Sequence, residues 1–164
     1  MRNMSLQVLV STMNQIDYSL ISQMNINTEA IIINQCDTFS YHEWFHKNRK
    51  IEWYCFPEQG IGLSRNNALM RASGDILLFA DDDVVYTDDY SQKIKEEFER
   101  CPQADIILFN VESTDPQRIE YQNRRFHKLH IFNSLRYGTV RMAVKREQLL
   151  KKNIAFSLLF GGGT

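Results

Sequence analysis

Three consecutive aspartates, Asp81, Asp82 and Asp83, are the residues whose type and position most directly suggest chemistry. They follow a short apolar run, residues 76–80, with the composition of a strand that is buried on both faces. Adjacent carboxylates repel one another and resist removal from water, so a bound cation would favour this arrangement. Because side chains alternate along a strand, Asp81 and Asp83 are expected to point one way and Asp82 the other. Two hard oxygen ligands on one side suit Mg²⁺ or Mn²⁺ shared with the phosphates of a substrate.

The strand before these aspartates belongs to an alternation of strands and helices. Strands are predicted over residues 7–11, 30–34, 51–56 and 76–80, within residues 105–111, and over 139–144. Helices are predicted over 65–72 with Ser64 as N-cap, after an N-cap at Thr87, and over 147–152, whereas residues 38–50 are predicted as a short helix or loop. The helix after Thr87 carries an apolar stripe of Tyr90, Ile94 and Phe98 and has Asp88 and Asp89 in its first turn. The alternation predicts an α/β fold with a mostly parallel central sheet and flanking helices, which binds ligands beyond the carboxyl ends of its strands.

The composition is that of one ordinary globular domain. The chain has 164 residues, of which 43% are hydrophobic and 24% charged. No apolar run approaches the ~20 residues of a membrane-spanning helix, and the N-terminus has the pattern of a first strand, not of a signal peptide. The three cysteines, Cys36, Cys55 and Cys101, lack the spacing of a metal site, which favours a reducing compartment and buried thiols.

The charge is distributed unevenly along the chain. Residues 1–117 carry 9 basic and 18 acidic side chains, whereas residues 118–164 carry 10 basic and 2 acidic ones. The basic part is either a solvated face or a surface for an anionic donor, an anionic acceptor or lipid headgroups. The basic residues are scattered and accompany no nucleic-acid-binding motif, so nucleic acid is not expected as a partner.

The run SRNNALMRASGDILLFADDDV, residues 64–84, resembles the donor-binding core of the family 2 glycosyltransferases. Members of this family typically have an Arg-Asn pair that opens a helix, a small residue and a glycine before the fourth strand, and Asp-x-Asp at the end of that strand. The resemblance implies the nucleotide-diphospho-sugar transferase fold, the Rossmann-like fold called GT-A. It follows the order of elements over about residues 5–160 and is specific mainly over 60–86.

The resemblance also implies roles for individual residues. Asp81 and Asp83 become the site of the metal and the diphosphate, with Asp82 beside them in the donor site. Arg65 and Asn66 would line the donor pocket. Thr12 and the loop after the first strand would face the nucleoside.

The end of the second strand departs from the family pattern. Family members commonly have acidic residues there, one of which reads the nucleobase, whereas this chain has Asn34, Gln35, Cys36 and Asp37. The amides of Asn34 and Gln35 can still pair with the edge of a base, and Asp37 is a further candidate for donor binding. A uridine diphosphate donor is therefore an implication of the family alone.

The activity implied is an inverting, Mn²⁺- or Mg²⁺-dependent transfer of a sugar to an acceptor hydroxyl, on a saccharide or a lipid-linked acceptor. Polysaccharide or glycoconjugate synthesis in the cytoplasm, at the inner membrane surface, is the setting that the resemblance suggests. The family places its general base after a glycine-rich segment, which here corresponds to residues 160–163. We therefore expect the base beyond Thr164, assign no catalytic residue within the chain, and expect residues 1–164 alone not to turn over.

Three alternatives compete with this interpretation. Residues 42–46, HEWFH, match the zinc-protease pattern, although Lys47 and Asn48 follow where an apolar helix should continue. Asp81-x-Asp83 at the end of a strand also matches the nucleophile motif of haloacid-dehalogenase phosphatases, which lies on the first strand and precedes a downstream acidic pair. A non-catalytic nucleotide-sugar binding domain is the third alternative.

The remaining candidate residues have structural explanations. His127 and His130 are expected to be solvated side chains, and Trp44 and Trp53 to be packing residues.

Overall fold

The structure is a computed structural model that describes residues 4–113, 122–130 and 137–159. Its strands are β1 (Leu6–Met13), β2 (Glu29–Gln35), β3 (Ser40–His46), β4 (Arg49–Phe56), β5 (Ile76–Asp81), β6 (Ile106–Leu108) and β7 (Met142–Lys145). Its helices are α1 (Leu20–Gln23), α2 (Ile61–Arg71), α3 (Tyr90–Arg100) and α4 (Arg146–Lys151), with a 3-10 turn at Thr139–Arg141. The glycine-rich segment at residues 160–163 lies outside the described residues.

The strands form one sheet in the order β3-β4-β2-β1-β5-β7-β6. The central strands β4, β2, β1 and β5 are parallel, and β3 and β7 join them antiparallel. This arrangement confirms the predicted α/β fold with a mostly parallel sheet and flanking helices. Because Ser11 pairs with Asp81 and Met13 with Gln35, the carboxyl ends of β1, β2 and β5 lie along one edge.

The β5 run is apolar throughout because a hydrophobic cluster covers each face of the sheet. Leu78 and Ala80 pack in the cluster that contains the α3 stripe of Tyr90, Ile94 and Phe98. Leu77 and Phe79 pack in the opposite cluster, together with Ala68 and Leu69 of α2. β5 is therefore covered on both faces, as predicted, and the apolar stripe on α3 is confirmed.

Residues 38–50 contain most of an antiparallel hairpin, so the prediction of a helix or loop was wrong. β3 and β4 pair from Ser40↔Cys55 to His46↔Arg49. The intervening Lys47 and Asn48 have φ of 50° and 60°, the positive values at both central residues that a type I′ turn requires. Aromatic side chains occur on both faces of β3, and this hides the two-residue alternation by which a strand is recognised.

Two predicted helix starts also differ from the structure. α2 begins at Ile61, four residues earlier than an N-cap at Ser64 predicts, and its N-cap is Gly60 with φ of 114°. Ser64 is instead a buried helical residue, whose hydroxyl donates to Ser11 Oγ at 2.9 Å. α3 begins at Tyr90 after Asp89, so Thr87 is not its N-cap and Asp88 and Asp89 precede the helix.

Smaller differences affect the rest of the chain. β6 is shorter than its predicted range, part of 139–144 is the 3-10 turn, and α4 ends one residue early. Cys36, Cys55 and Cys101 are free and partly exposed, where buried thiols were expected. In the part of the chain that the structure describes, no helix has both the length and the apolar character to cross a membrane.

Candidate functional site

The three aspartates lie where β5 ends and the chain turns away from the sheet. β5 includes Asp81 but stops there, and Val84 N donates to Asp81 O at 3.3 Å to close a turn. Strand alternation therefore does not extend to Asp83, and the argument that placed Asp81 and Asp83 on one side does not hold. Asp82 and Asp83 are exposed, whereas Asp81 is half-buried.

Arg65, in the second turn of α2, neutralises the first of these carboxylates. Its Nη2 donates to Asp81 Oδ1 at 2.9 Å, and its side chain is 14% exposed against 38% for Asp81. The guanidinium carbon also lies 5.7 Å from the ring centre of Phe156. Arg65 Nε is buried and makes no hydrogen bond within the described residues. A buried charged donor without a partner is costly, so this atom is a candidate contact for an anionic ligand.

Asp82 is held by residues of β1 and of the loop that follows it. Thr12 Oγ1 donates to Asp82 Oδ2 at 2.6 Å, and Gln15 Nε2 lies 3.5 Å from the same oxygen. Gln15 Nε2 also donates to Thr12 Oγ1 at 3.0 Å. Thr12 is buried, and it therefore supports the acidic cluster from within the sheet.

A pocket of about 400 Å³ lies at the carboxyl ends of β1, β2 and β4, and β5, which ends in the acidic cluster, is the next strand after β1. Its walls are formed by Met13, Asn14, Gln35, Cys36, Asp37, Pro57, Glu58 and Gln59. Gln35 is almost fully buried, and its Nε2 donates to Gly60 O at 3.1 Å. Glu58 accepts hydrogen bonds from Asn67 Nδ2 at 2.9 Å on both carboxylate oxygens. The pocket therefore contains the predicted residues Gln35 and Asp37, together with Glu58, which the sequence did not single out.

Asn34 and Asn66 bond to the backbone of other segments. Asn34 is 1% exposed, and its amide makes two hydrogen bonds of 3.0 Å with the backbone of Gln15. Asn66 Nδ2 donates to Phe156 O at 2.9 Å, and Phe156 N donates to Asn66 Oδ1 at 2.8 Å. Their assignment to donor binding stays a prediction, and both amides also have a structural role.

The segment that contains Phe156 packs closely on α2. The Phe156 ring lies edge-on to Phe79, with the ring centres 5.0 Å apart. Gly62 is buried against the backbone of Ser157, whose oxygen a Cβ at this position would overlap. Gly62 and Phe156 were not recognised from the sequence, because each acts through a partner far along the chain. Gln15 belongs to the loop after β1, which the resemblance placed near the nucleoside.

The donor set of the acidic cluster fits a hard divalent cation. Within the described residues Arg65 pairs with Asp81 alone among the three carboxylates, and Asp83 makes no ion pair or hydrogen bond. Carboxylate oxygens are the ligands that Mg²⁺ and Mn²⁺ prefer. Across residues 4–113, 122–130 and 137–159, no group of three or more His, Cys, Asp or Glu side chains is arranged to hold a metal by itself.

The zinc-protease pattern at residues 42–46 lies in a strand. His42 pairs with Trp53 and His46 with Arg49 on the neighbouring strand. A strand rises about 13 Å over the four steps from His42 to His46, whereas the pattern requires both histidines on one face of a helix. Trp44 and Trp53 pack with Tyr18, and Trp53 is buried, in agreement with their assignment as packing residues. The phosphatase interpretation requires the acidic motif on a first strand, whereas Asp81 ends the fifth.

The sheet, its flanking helices and the acidic turn after β5 define a nucleotide-diphospho-sugar transferase (GT-A) fold. The family model described as glycosyl transferase family 2 matches residues 11–158, and the chain belongs to this family. A comparison with curated proteins found no match.

Solved structures of S. aureus TarS are similar to the chain. TarS 1–349 has 16% sequence identity and a TM-score of 0.62, over 98% of this chain and 52% of that chain. The complex of TarS 1–349 with UDP-GlcNAc has 17% identity and a TM-score of 0.65, over 94% of this chain and 49% of that one. The complex with UDP has 16% identity and a TM-score of 0.67, over 98% and 52%. The chain thus spans about half the length of these structures.

Proposed function

We propose that this chain binds the nucleotide-diphospho-sugar donor of a glycosyltransferase, with a UDP-sugar as the favoured donor class. The single observation that carries the proposal is the acidic turn Asp81, Asp82 and Asp83, which is paired with Arg65 and lies on the same carboxyl edge of the sheet as a pocket. Membership of glycosyl transferase family 2 supports it, as do the TarS complexes with UDP and UDP-GlcNAc.

The sheet order suggests which part of the donor binds in the pocket and which part binds at the acidic turn. The pocket lies at the ends of β4, β2 and β1, and the aspartates follow β5, which is the next strand. We assign the nucleoside to the pocket, where Gln35 and Asp37 offer polar groups, and the diphosphate to the aspartates. Arg65 would contact the diphosphate through the nitrogen atoms that Asp81 does not use, including Nε, which has no partner among the described residues.

The aspartates would hold Mn²⁺ or Mg²⁺, with Asp81 and Asp83 as the ligands. Such an ion, when bound, offsets the charge on the diphosphate and makes the nucleoside diphosphate a better leaving group. Transfer with inversion also needs a base for the acceptor hydroxyl, and none of the described residues is assigned that role. The family suggests a saccharide or lipid-linked acceptor, in polysaccharide or glycoconjugate synthesis at the cytoplasmic surface of the membrane.

Nucleotide binding with and without Mn²⁺ tests the proposal. UDP at 100 times its Kd should stabilise the protein by about 2.7 kcal/mol when Mn²⁺ is present. We expect Asp83→Asn to keep the unfolding temperature of the unliganded protein and to lose most of the Mn²⁺-dependent stabilisation. Asp105→Asn is a matched control, because Asp105 pairs with Lys152 before β6, at the opposite edge of the sheet from the acidic turn. Equal UDP stabilisation without the cation, or in Asp83→Asn, would contradict the proposal.

A further inference from the structure

The loop after β1 is tied to the end of β2 by the side chain of Asn34. Gln15 N donates to Asn34 Oδ1, and Asn34 Nδ2 donates to Gln15 O, both at 3.0 Å. Asn14 N donates to Gln35 O at 3.0 Å, and Asn14 has φ of 52°, so the loop folds back over the strand ends. The amide of Asn34 therefore continues the pairing of β1 with β2 beyond the last backbone pair.

The same loop carries a donor to the middle aspartate. Gln15 Nε2 contacts both Thr12 Oγ1, at 3.0 Å, and Asp82 Oδ2, at 3.5 Å. Thr12 Oγ1 of β1 donates to that oxygen at 2.6 Å, so one strand residue and one loop residue converge on a single carboxylate oxygen. The backbone position of Gln15 determines whether its side chain reaches Asp82, and that backbone is held by Asn34.

An amide at position 34 satisfies both backbone groups of Gln15 in this arrangement. Asn supplies one donor to the Gln15 carbonyl and one acceptor to the Gln15 amide. A carboxylate would keep the acceptor but would place negative charge against the carbonyl, in a site that is 1% exposed. Because its amide is buried and already bonded, Asn34 has a role that does not require contact with a ligand.

We infer that Asn34 is a positioning residue, which acts through Gln15 to hold Asp82 in the orientation that the donor site needs. The inference rests on the proposed function, since Asp82 matters only if the acidic turn binds the donor. With this role, Asn34 positions the acidic turn and does not contact the base. The pocket residues around Gln35 and Asp37 would then recognise the base.

A double-mutant cycle tests the inference, with UDP and Mn²⁺ as the probe. Gln15→Met keeps the length of the side chain and both backbone bonds to Asn34 but removes the amide donor. We expect it to weaken UDP affinity about fivefold, the effect of losing one ordinary hydrogen bond, because the contact with Asp82 is long and exposed. Gln23→Met is the matched control, because exposed Gln23 on α1 bonds only to Ser19 Oγ among the described side chains. Asn34→Asp should weaken affinity at least as much as Gln15→Met.

The cycle with Asp82→Asn distinguishes positioning from a general loss of structure. The effect of Gln15→Met on affinity should fall below about twofold when Asp82 is already Asn, because the two changes remove one interaction. The same cycle on the free energy of unfolding without ligand remains measurable if Asp82→Asn removes binding, and it should show coupling. Absence of coupling in both measurements would overturn the inference. If wild-type protein does not bind UDP with Mn²⁺, the proposed function fails instead; if it binds and Gln15→Met binds equally, only the positioning role fails.

Discussion

Arg65 Nη2 and Asp81 Oδ1 are 2.9 Å apart, so the cation of α2 already occupies one oxygen of the carboxylate that ends β5. The guanidinium of Arg65 also lies beside the Phe156 ring. A divalent cation that binds Asp81 must therefore compete with Arg65, while a diphosphate would be attracted by the same guanidinium. Loss of the Arg65 charge should therefore raise the affinity for the divalent cation and lower the affinity for the diphosphate.

We expect Arg65→Met to strengthen the binding of Mn²⁺ alone and to weaken the binding of UDP with Mn²⁺. Each change should be about fivefold, since a partly exposed ion pair contributes roughly 1 kcal/mol. Mn²⁺ affinity from electron paramagnetic resonance and UDP affinity from calorimetry measure the two effects separately. Arg65→Lys is the control that keeps the charge and should lie between wild type and Arg65→Met. A change of both affinities in the same direction would argue against competition at Asp81.

Gly62→Ala should destabilise the protein by about 1–3 kcal/mol, the cost of forcing extra volume into a packed site. The added Cβ overlaps the Ser157 oxygen, which is backbone and cannot rotate away. Gly138→Ala is the matched control, because no atom of the described residues lies within 4 Å of a Cβ at that position. Urea unfolding compares the two variants. Equal stability of both would mean that the segment around Ser157 does not pack on α2 in solution.

Tyr86→Phe should leave the stability unchanged or raise it at neutral pH. The Tyr86 hydroxyl is buried without a hydrogen-bond partner among the described residues, so removing it costs no bond. Burial is the main cause that raises the pKa of Tyr86 above its ordinary value, with the charges of Tyr90 and Asp81 adding to the shift.

The raised pKa of Tyr86 also has a consequence at high pH. In the unfolded chain Tyr86 loses its phenol proton near pH 10, and in the folded chain it does so only at higher pH. The contribution of neutral Tyr86 to the free energy of unfolding is therefore fully present below pH 10 and is lost as the pH rises above it. Between pH 9 and pH 11, Tyr86→Phe should therefore lose about 1.4 kcal/mol less free energy of unfolding than wild type. Urea unfolding at the two pH values gives the difference, and identical losses would show that Tyr86 is not buried. Tyr41→Phe, at an exposed tyrosine, is the comparison at neutral pH.

Residues 42–46 should not bind zinc. Because β3 is a strand, His42 and His46 cannot share one ion as they would on a helix. Metal analysis of purified protein should find no stoichiometric zinc, and His46→Ala should leave the metal content unchanged. Zinc at one equivalent that disappears in His46→Ala would require a different conformation of this hairpin.

Local sequence was sufficient for the features that depend on neighbouring residues. The apolar run of β5 and the stripe on α3 reflect the periods of a doubly covered strand and an amphipathic helix, and both are confirmed. The parallel sheet followed from the alternation of these elements, and the resemblance over residues 64–84 led to the correct family. The β3–β4 hairpin was missed because its aromatic residues occur on both faces and obscure the period of two.

The partners of the candidate site residues could be assigned only from the tertiary structure. Asp82 is bonded by Thr12, 70 residues earlier in the chain, and Asn66 holds the backbone of Phe156, 90 residues later. No local pattern contains these contacts, because they depend on which strands become neighbours and where each one ends. The sequence by itself determined that an acidic turn follows a buried strand of a glycosyl transferase family 2 domain. Only the packing of β1, β2 and α2 around that turn decided which carboxylate is paired, which is hydrogen-bonded and which is exposed to solvent.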